Sequence, residues 1–173
     1  NDALETIYKH ARYSEDYQII KPEKAKSLIT DKTLLIVVDV NRPMLTECPD
    51  LLDLCKTRIV IDHHRMTDDS IQESAVSYIE SYASSASELM AELIQNCSPK
   101  RFINRFECEA LLAGIMVDTN NFSGRTGVRT FEAASWLKRG GADTTEVKRF
   151  FQMRGEDVKA KAKAIAGAEI TDG

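Results

Sequence analysis

The chain has 173 residues, of which 43% are hydrophobic and 29% charged, the size and balance of one globular domain. Its net charge of -4 argues against a broad phosphate-backbone-binding surface while leaving room for a local basic pocket. No apolar run approaches the ~18 residues that span a bilayer, and the polar, acidic opening is not a signal-peptide pattern.

Asn1 can cap a helix over 2–13 whose apolar face is Leu4, Ile7, Tyr8 and Ala11. Pro22 suits the first turn of a short helix running to Ile29. After a turn at Asp31-Lys32, the continuous apolar run 34–38 predicts a strand buried on both faces of a parallel sheet, ending at Asp39. Pro49 starts a short helix over 50–56. A second buried strand covers 58–61 and ends at Asp62, and a third covers 75–79. Ser84 or Ser85 caps a helix to Gln95, and another helix over 103–117 ends near Asp118. Thr130 begins a helix to Lys138 that Gly140-Gly141 stop. Thr144 or Thr145 caps the next, to Gln152, and an alanine- and lysine-rich helix closes the chain over 156–168. Strands alternating with helices predict an α/β domain with a mostly parallel, Rossmann-like sheet. Cys48, Cys55, Cys97 and Cys108 form no C-x-x-C pair and are expected as reduced thiols, which points to the cytoplasm.

Active residues of open parallel sheets collect beyond the carboxyl ends of the strands. Asp39 and Asp62-His63-His64 both fall there, at the ends of adjacent strands. Taken singly, an aspartate after a strand is a turn or cap residue, and a lone histidine such as His10 is given no role. Two adjacent histidines at a strand end, counted with Asp39, favour metal ligation. Oxygen and nitrogen donors without thiolate suit manganese, iron or another mid-series divalent ion. A pair of such ions can clamp a phosphate and generate hydroxide for in-line attack. Asp118 closes a helix, where the dipole disfavours an anion unless a cation relieves it. Arg65 can face phosphate or anchor its loop. The segment Phe122-Ser123-Gly124-Arg125-Thr126-Gly127 can wrap an anion with backbone N–H groups. The Ser84-Ser85-Ala86-Ser87 run reads first as capping and second as a phosphate site at a helix N-terminus.

These residues resemble a family. LLIVVDVNRP at 34–43, RIVIDHHR at 58–65, YASSASELMAELI at 82–94 and ALLAGIMVDTNNFSGRTGVRTFEAASWLKRGGAD at 110–143 are similar to the DHH phosphoesterases, in particular the GdpP (YybT)-type cyclic-di-AMP phosphodiesterases. The resemblance extends over nearly the whole chain and implies one DHH phosphoesterase domain over 1–170. It implies that Asp39 bridges two Mn2+ ions, that His63 and Asp118 ligate one of them, and that His64 helps hold substrate phosphate. Asp62 would orient a histidine, and Arg125 would contact phosphate. The implied reaction is hydrolysis of cyclic-di-AMP to linear pApA by metal-activated hydroxide.

Two parts of the family pattern are missing: the first His-x-x-x-Asp-x-Asp motif with its strand, and the C-terminal DHH-associated domain. Asn1 opens directly onto a helical pattern and Thr171-Asp172-Gly173 reads as a turn leading onward, so a piece of a longer protein is expected. Its remaining parts would be the DHH-associated domain and upstream membrane and sensory domains. The 173-residue chain by itself is then expected to hydrolyse cyclic-di-AMP poorly. Apolar surface left bare would be covered by those domains or by a second copy in a homodimer. Rival readings are a nanoRNase-like phosphatase, a RecJ-like exonuclease, a family II pyrophosphatase, and a non-catalytic nucleotide-binding or regulatory module. The acidic balance speaks against a long nucleic-acid track.

Overall fold

In the computed structural model the described residues are 7–9, 17–97, 103–151, 159, 163 and 167. Residues 7–9, 159 and 163 are helical, within the two terminal helices expected over 2–13 and 156–168. Otherwise those helices, with His10, lie outside the described residues.

Pro22, with its φ already set for a helix, opens α1 over Pro22–Leu28. The apolar run forms β1 at Leu34–Val38. A 3-10 turn at Pro43–Leu45 and the short α2 at Asp50–Leu54 lead to β2 at Thr57–Asp62 and β3 at Val76–Ile79. Four helices follow: α3 at Ala86–Cys97, α4 at Arg105–Asp118, α5 at Val128–Arg139 and α6 at Thr144–Phe150.

Among the described residues the sheet has three strands, all parallel, in the order β1-β2-β3. Val38 pairs with Ile61 and Asp62 with Ile79. The Asp39 N–H donates to the Ile61 carbonyl at 3.0 Å, so the ladder continues one residue past β1 and sets Asp39 beside the end of β2.

The sheet is covered unevenly. Val37, Val60, Leu52 of α2 and Ile71 pack on one side. On the other, Ile61 packs against Leu89 of α3. A larger apolar cluster joins α4, α5 and α6 through Leu112, Ile115, Leu137 and Val147. β1 is therefore not buried on both faces as expected: Leu34, Ile36 and Val38 are 47%, 49% and 41% exposed. The reason is placement, since β1 is an edge strand among the described residues and α3 lies over β2.

The caps also differ in detail from expectation. α6 is capped by Asp143, whose carboxylate accepts from Thr145 N–H at 2.8 Å. Neither Thr144 nor Thr145 does this, because an ionised carboxylate is the stronger acceptor for a helix N–H. α5 starts at Val128, and the Thr130 hydroxyl accepts from Gly127 N–H at 3.0 Å. Asn104 and Glu107 form a reciprocal capping box on α4.

Candidate metal centre

Asp39 follows β1 with φ at 67°, in the left-handed region that L-residues with a Cβ rarely enter. Asp62 ends β2 fully buried, and His63 directly after it is 5% exposed. Parallel pairing of β1 with β2 brings the two segments together. The ligand atoms of Asp39, Asp62, His63 and His64 all lie within 4.8 Å of one another.

The two histidines face different partners. His63 Nε2 lies 3.4 Å from Asp39 Oδ1 and 3.9 Å from Asp118 Oδ2. Asp118 arrives at the end of α4, from the helical layer. His64 Nδ1 lies 2.7 Å from Asp62 Oδ1, and the same oxygen accepts from the backbone N–H groups of His63 at 2.7 Å and His64 at 3.3 Å. Asp62 thus orients His64, the outer histidine, and organises the backbone that carries His63. A carboxylate acceptor calls for the proton on Nδ1, so His64 presents Nε2 elsewhere on a half-exposed ring.

The spacing around His63 fits a small cation better than direct hydrogen bonding. N–H···O bonds run at roughly 2.7–3.2 Å, and both contacts of Nε2 are longer. Oxygen ligands about 2.1 Å from one octahedral cation lie about 3 Å apart, close to the 3.4 Å seen between Asp39 and His63. Burial pushes the Asp118 carboxyl above its ordinary range, and the charge of Asp39 adds to the shift. His63, His64 and Arg125 oppose it. A cation between these carboxylates would remove the conflict that raises it. Asp62 Oδ2 and His63 Nδ1 are buried without a hydrogen-bond partner among the described residues. Buried polar atoms of this kind are costly and cluster where function demands them. The donor set is all oxygen and nitrogen, as suits a hard or mid-series divalent ion.

The loop after α4 departs from expectation. Asn120, Asn121 and Phe122 are all left-handed, at φ 48°, 56° and 63°. Their N–H groups are consumed inside the loop: Asn121 donates to Met116 O, Phe122 to Thr119 Oγ1 and Gly124 to Thr119 O. The backbone of Phe122, Ser123 and Gly124 is therefore not free to wrap an anion, because the loop needs these amides to close the helix end. What remains of that segment for a phosphate is the N–H groups of Arg125 and Thr126 and the exposed Arg125 side chain, whose charge is felt at Asp118. Arg65 is exposed beside His64.

The serine run caps α3. Ser85 Oγ accepts from Glu88 N–H at 3.0 Å, and Glu88 Oε2 accepts from Ser84 N–H and Oγ. All three residues are buried, so Ser84 and Ser85 are spent on the helix. Ser87 packs on Gly114 instead: a Cβ at Gly114 would fall on the Ser87 hydroxyl and 2.9 Å from its Cβ.

Asn41 and Ser70, passed over in the sequence, tie together the two loops that carry the site. Both are buried, at 3% and 4% exposure. An asparagine three residues past a strand reads as an ordinary turn residue, and its long-range partners leave no mark in the sequence.

The family model described as "DHH family, N-terminal domain" matches residues 2–115. The chain is 47% identical over 154 residues to the cyclic-di-AMP phosphodiesterase GdpP of Geobacillus thermodenitrificans, covering 88% of this chain and 23% of that protein. It is 40% identical over 152 residues to the cyclic-di-AMP phosphodiesterase PdeA of Listeria monocytogenes, with the same coverages. The chain thus spans less than a quarter of the length of these relatives. Among solved structures, an exopolyphosphatase-related protein from Bacteroides fragilis superposes with a TM-score of 0.78 over 95% of this chain and 50% of that one. At 21% identity that likeness speaks for the fold alone.

Proposed function

The chain belongs to the DHH family, and from that membership and the converging Asp39, His63 and Asp118 side chains we propose that the protein is a divalent-metal phosphodiesterase that hydrolyses cyclic-di-AMP to pApA. The observation that carries the reading is that Asp39 and Asp118, carried by two separate elements, both face the Nε2 of His63, carried by a third. The substrate is taken from the relatives of 40–47% identity, which are named for that activity.

In this reading Asp39, His63 and Asp118 hold the cation, with Mn2+ as the proposed metal. When bound, such an ion polarises a phosphoryl oxygen and makes water a nucleophile at neutral pH. Asp62 holds His64 so that its Nε2 can meet a phosphate oxygen. Arg125, and Arg65 beside His64, supply positive charge to the same group. Water adds to phosphorus, one P–O ester bond of the ring breaks, and the released 3′ oxygen takes a proton. The reading includes a cytoplasmic location, in keeping with the free thiols of Cys48, Cys55, Cys97 and Cys108. It also includes a second domain that closes the cleft over the dinucleotide.

The test is hydrolysis by the full-length protein with Mn2+, products being separated by chromatography. Cyclic-di-AMP should yield pApA, and His63→Ala or Asp118→Ala should lower the rate by about a hundredfold or more with an unchanged circular dichroism spectrum. Near-normal rates in either variant would sink the ligand assignment. Preferred turnover of pyrophosphate or of pApA itself would move the protein to another branch of the family.

A further inference from the structure

Asp39 and the His63-His64-Arg65 segment sit on different loops, and a metal centre needs those loops at one fixed separation. Pairing of β1 with β2 ends at Asp39, so beyond that point something else must hold them. We propose that Asn41, locked by Ser70, is the positioning residue that sets this separation. The inference rests on the metal-centre reading above and concerns how that centre is held in shape.

The side chain of Asn41 spans the gap. Its Nδ2 donates to the His64 carbonyl at 3.2 Å and reaches the Arg65 carbonyl at 3.5 Å. Its Oδ1 accepts from Ser70 Oγ at 3.2 Å. Its own carbonyl accepts from Ile71 N–H at 2.6 Å. One residue, two positions after Asp39, therefore grips the 63–71 loop at both ends.

Ser70 makes the grip directional. Its hydroxyl accepts from Thr67 N–H at 2.9 Å while donating to Asn41, and its own N–H donates to Thr67 O at 3.0 Å. With Oδ1 taken by a hydroxyl donor, Nδ2 must be the atom that faces the two carbonyls. Burial makes the arrangement strict, because a buried amide stripped of a partner bears the full cost of its desolvation. The hydrogen bonds of the Asn41 side chain go to two backbone carbonyls and to Ser70, not to a metal ligand's donor atom, so it acts through the backbone of His64 and Arg65. Aspartate has nearly the same shape but cannot donate, and would set an acceptor against two carbonyls.

The experiment is a calorimetric titration of Mn2+ into the full-length protein as wild type, Asn41→Asp, Ser70→Ala, the double variant and His63→Ala, with thermal melts of each in metal-free buffer. Asn41→Asp should weaken Mn2+ binding by about tenfold or more, in the range seen when residues supporting metal ligands are lost. Ser70→Ala should weaken it less. The double variant should be no worse than Asn41→Asp, as expected for residues acting as one unit. Should Asn41→Asp fail to fold, Ser70→Ala and Asn41→Ser carry the test. Unchanged Mn2+ affinity in folded variants, with only the melting temperature lowered, overturns the proposal and leaves Asn41 a purely structural residue. Equal affinity of wild type and His63→Ala, or no binding by wild type, overturns the metal centre itself and the clamp with it.

Discussion

Asp39 occupies a left-handed backbone conformation that costs a residue with a Cβ roughly 1–2 kcal/mol. The conformation turns the chain out of β1 at the point where its carboxylate meets His63. Glycine escapes that cost and alanine does not. Asp39→Gly is therefore expected to be about 1 kcal/mol more stable than Asp39→Ala without metal, while both lose Mn2+ binding. Chemical denaturation of the pair checks this, and equal stabilities would mean that the backbone there is unstrained. Asp118 carries a second tension, since burial and the charge of Asp39 both disfavour its ionised form. Asp118→Asn should melt at a higher temperature than wild type in chelator and at a lower one in excess Mn2+. A variant less stable than wild type under both conditions would contradict that account. Of the site residues, Asp39, His63, His64 and Asp118 were legible because each lies at or just past the end of an element that periodicity predicts. Asn41 was not, because its partners at Ser70 and His64 lie 29 and 23 residues away.

Helix α4 positions Asp118, and its approach to α3 is set by a single missing side chain. Gly114 lies one turn before Asp118, and Ser87 fills the space where a Cβ would be. Gly114→Ala should cost about 1–3 kcal/mol, as overpacking does, and should also weaken Mn2+ binding because the helix end shifts. Ser87→Gly in the same chain should recover part of both losses. No recovery in the double variant would show that the two helices do not interfere there. A glycine inside a helical pattern reads in sequence only as a weak helix former, so this close crossing was invisible before the fold was known. Helix α6 shows the same limit at its start, where Asp143, Thr144 and Thr145 are all acceptable caps by type. The structure selects Asp143, and its carboxyl is held below the ordinary range by the Thr145 N–H. A group lowered in the folded state stabilises above its unfolded value and loses that contribution as pH falls through the folded one. Asp143→Ala should thus lower the melting temperature at neutral pH, with the difference fading in acid. A difference that is constant with pH would exclude the carboxylate as its source.

At the scale of the molecule, the α/β class, the three parallel strands and the order of the helices follow from apolar runs and their spacing. The depth of each strand does not. Every residue from Leu34 to Val38 is apolar, so nothing in the run distinguishes the covered face from the bare one. Val37 is buried while Ile36 is 49% exposed. Ile36→Ala should cost about 1 kcal/mol, half the worth of a fully buried aliphatic side chain. Leu89→Ala, at a position with no exposure, should cost about 2–5 kcal/mol. Comparable losses at the two positions in urea denaturation would mean that the outer face of β1 is covered in solution.

Asp39 and His63 belong to the sheet, whereas Asp118 belongs to the helical cluster of α4, α5 and α6. An ion seated among them would rivet two separately packed layers into one mechanical body. Each tenfold rise of free ion above its dissociation constant then adds about 1.4 kcal/mol of resistance to unfolding. Cellular supply of the ion would govern the stiffness of the scaffold as well as the chemistry it supports.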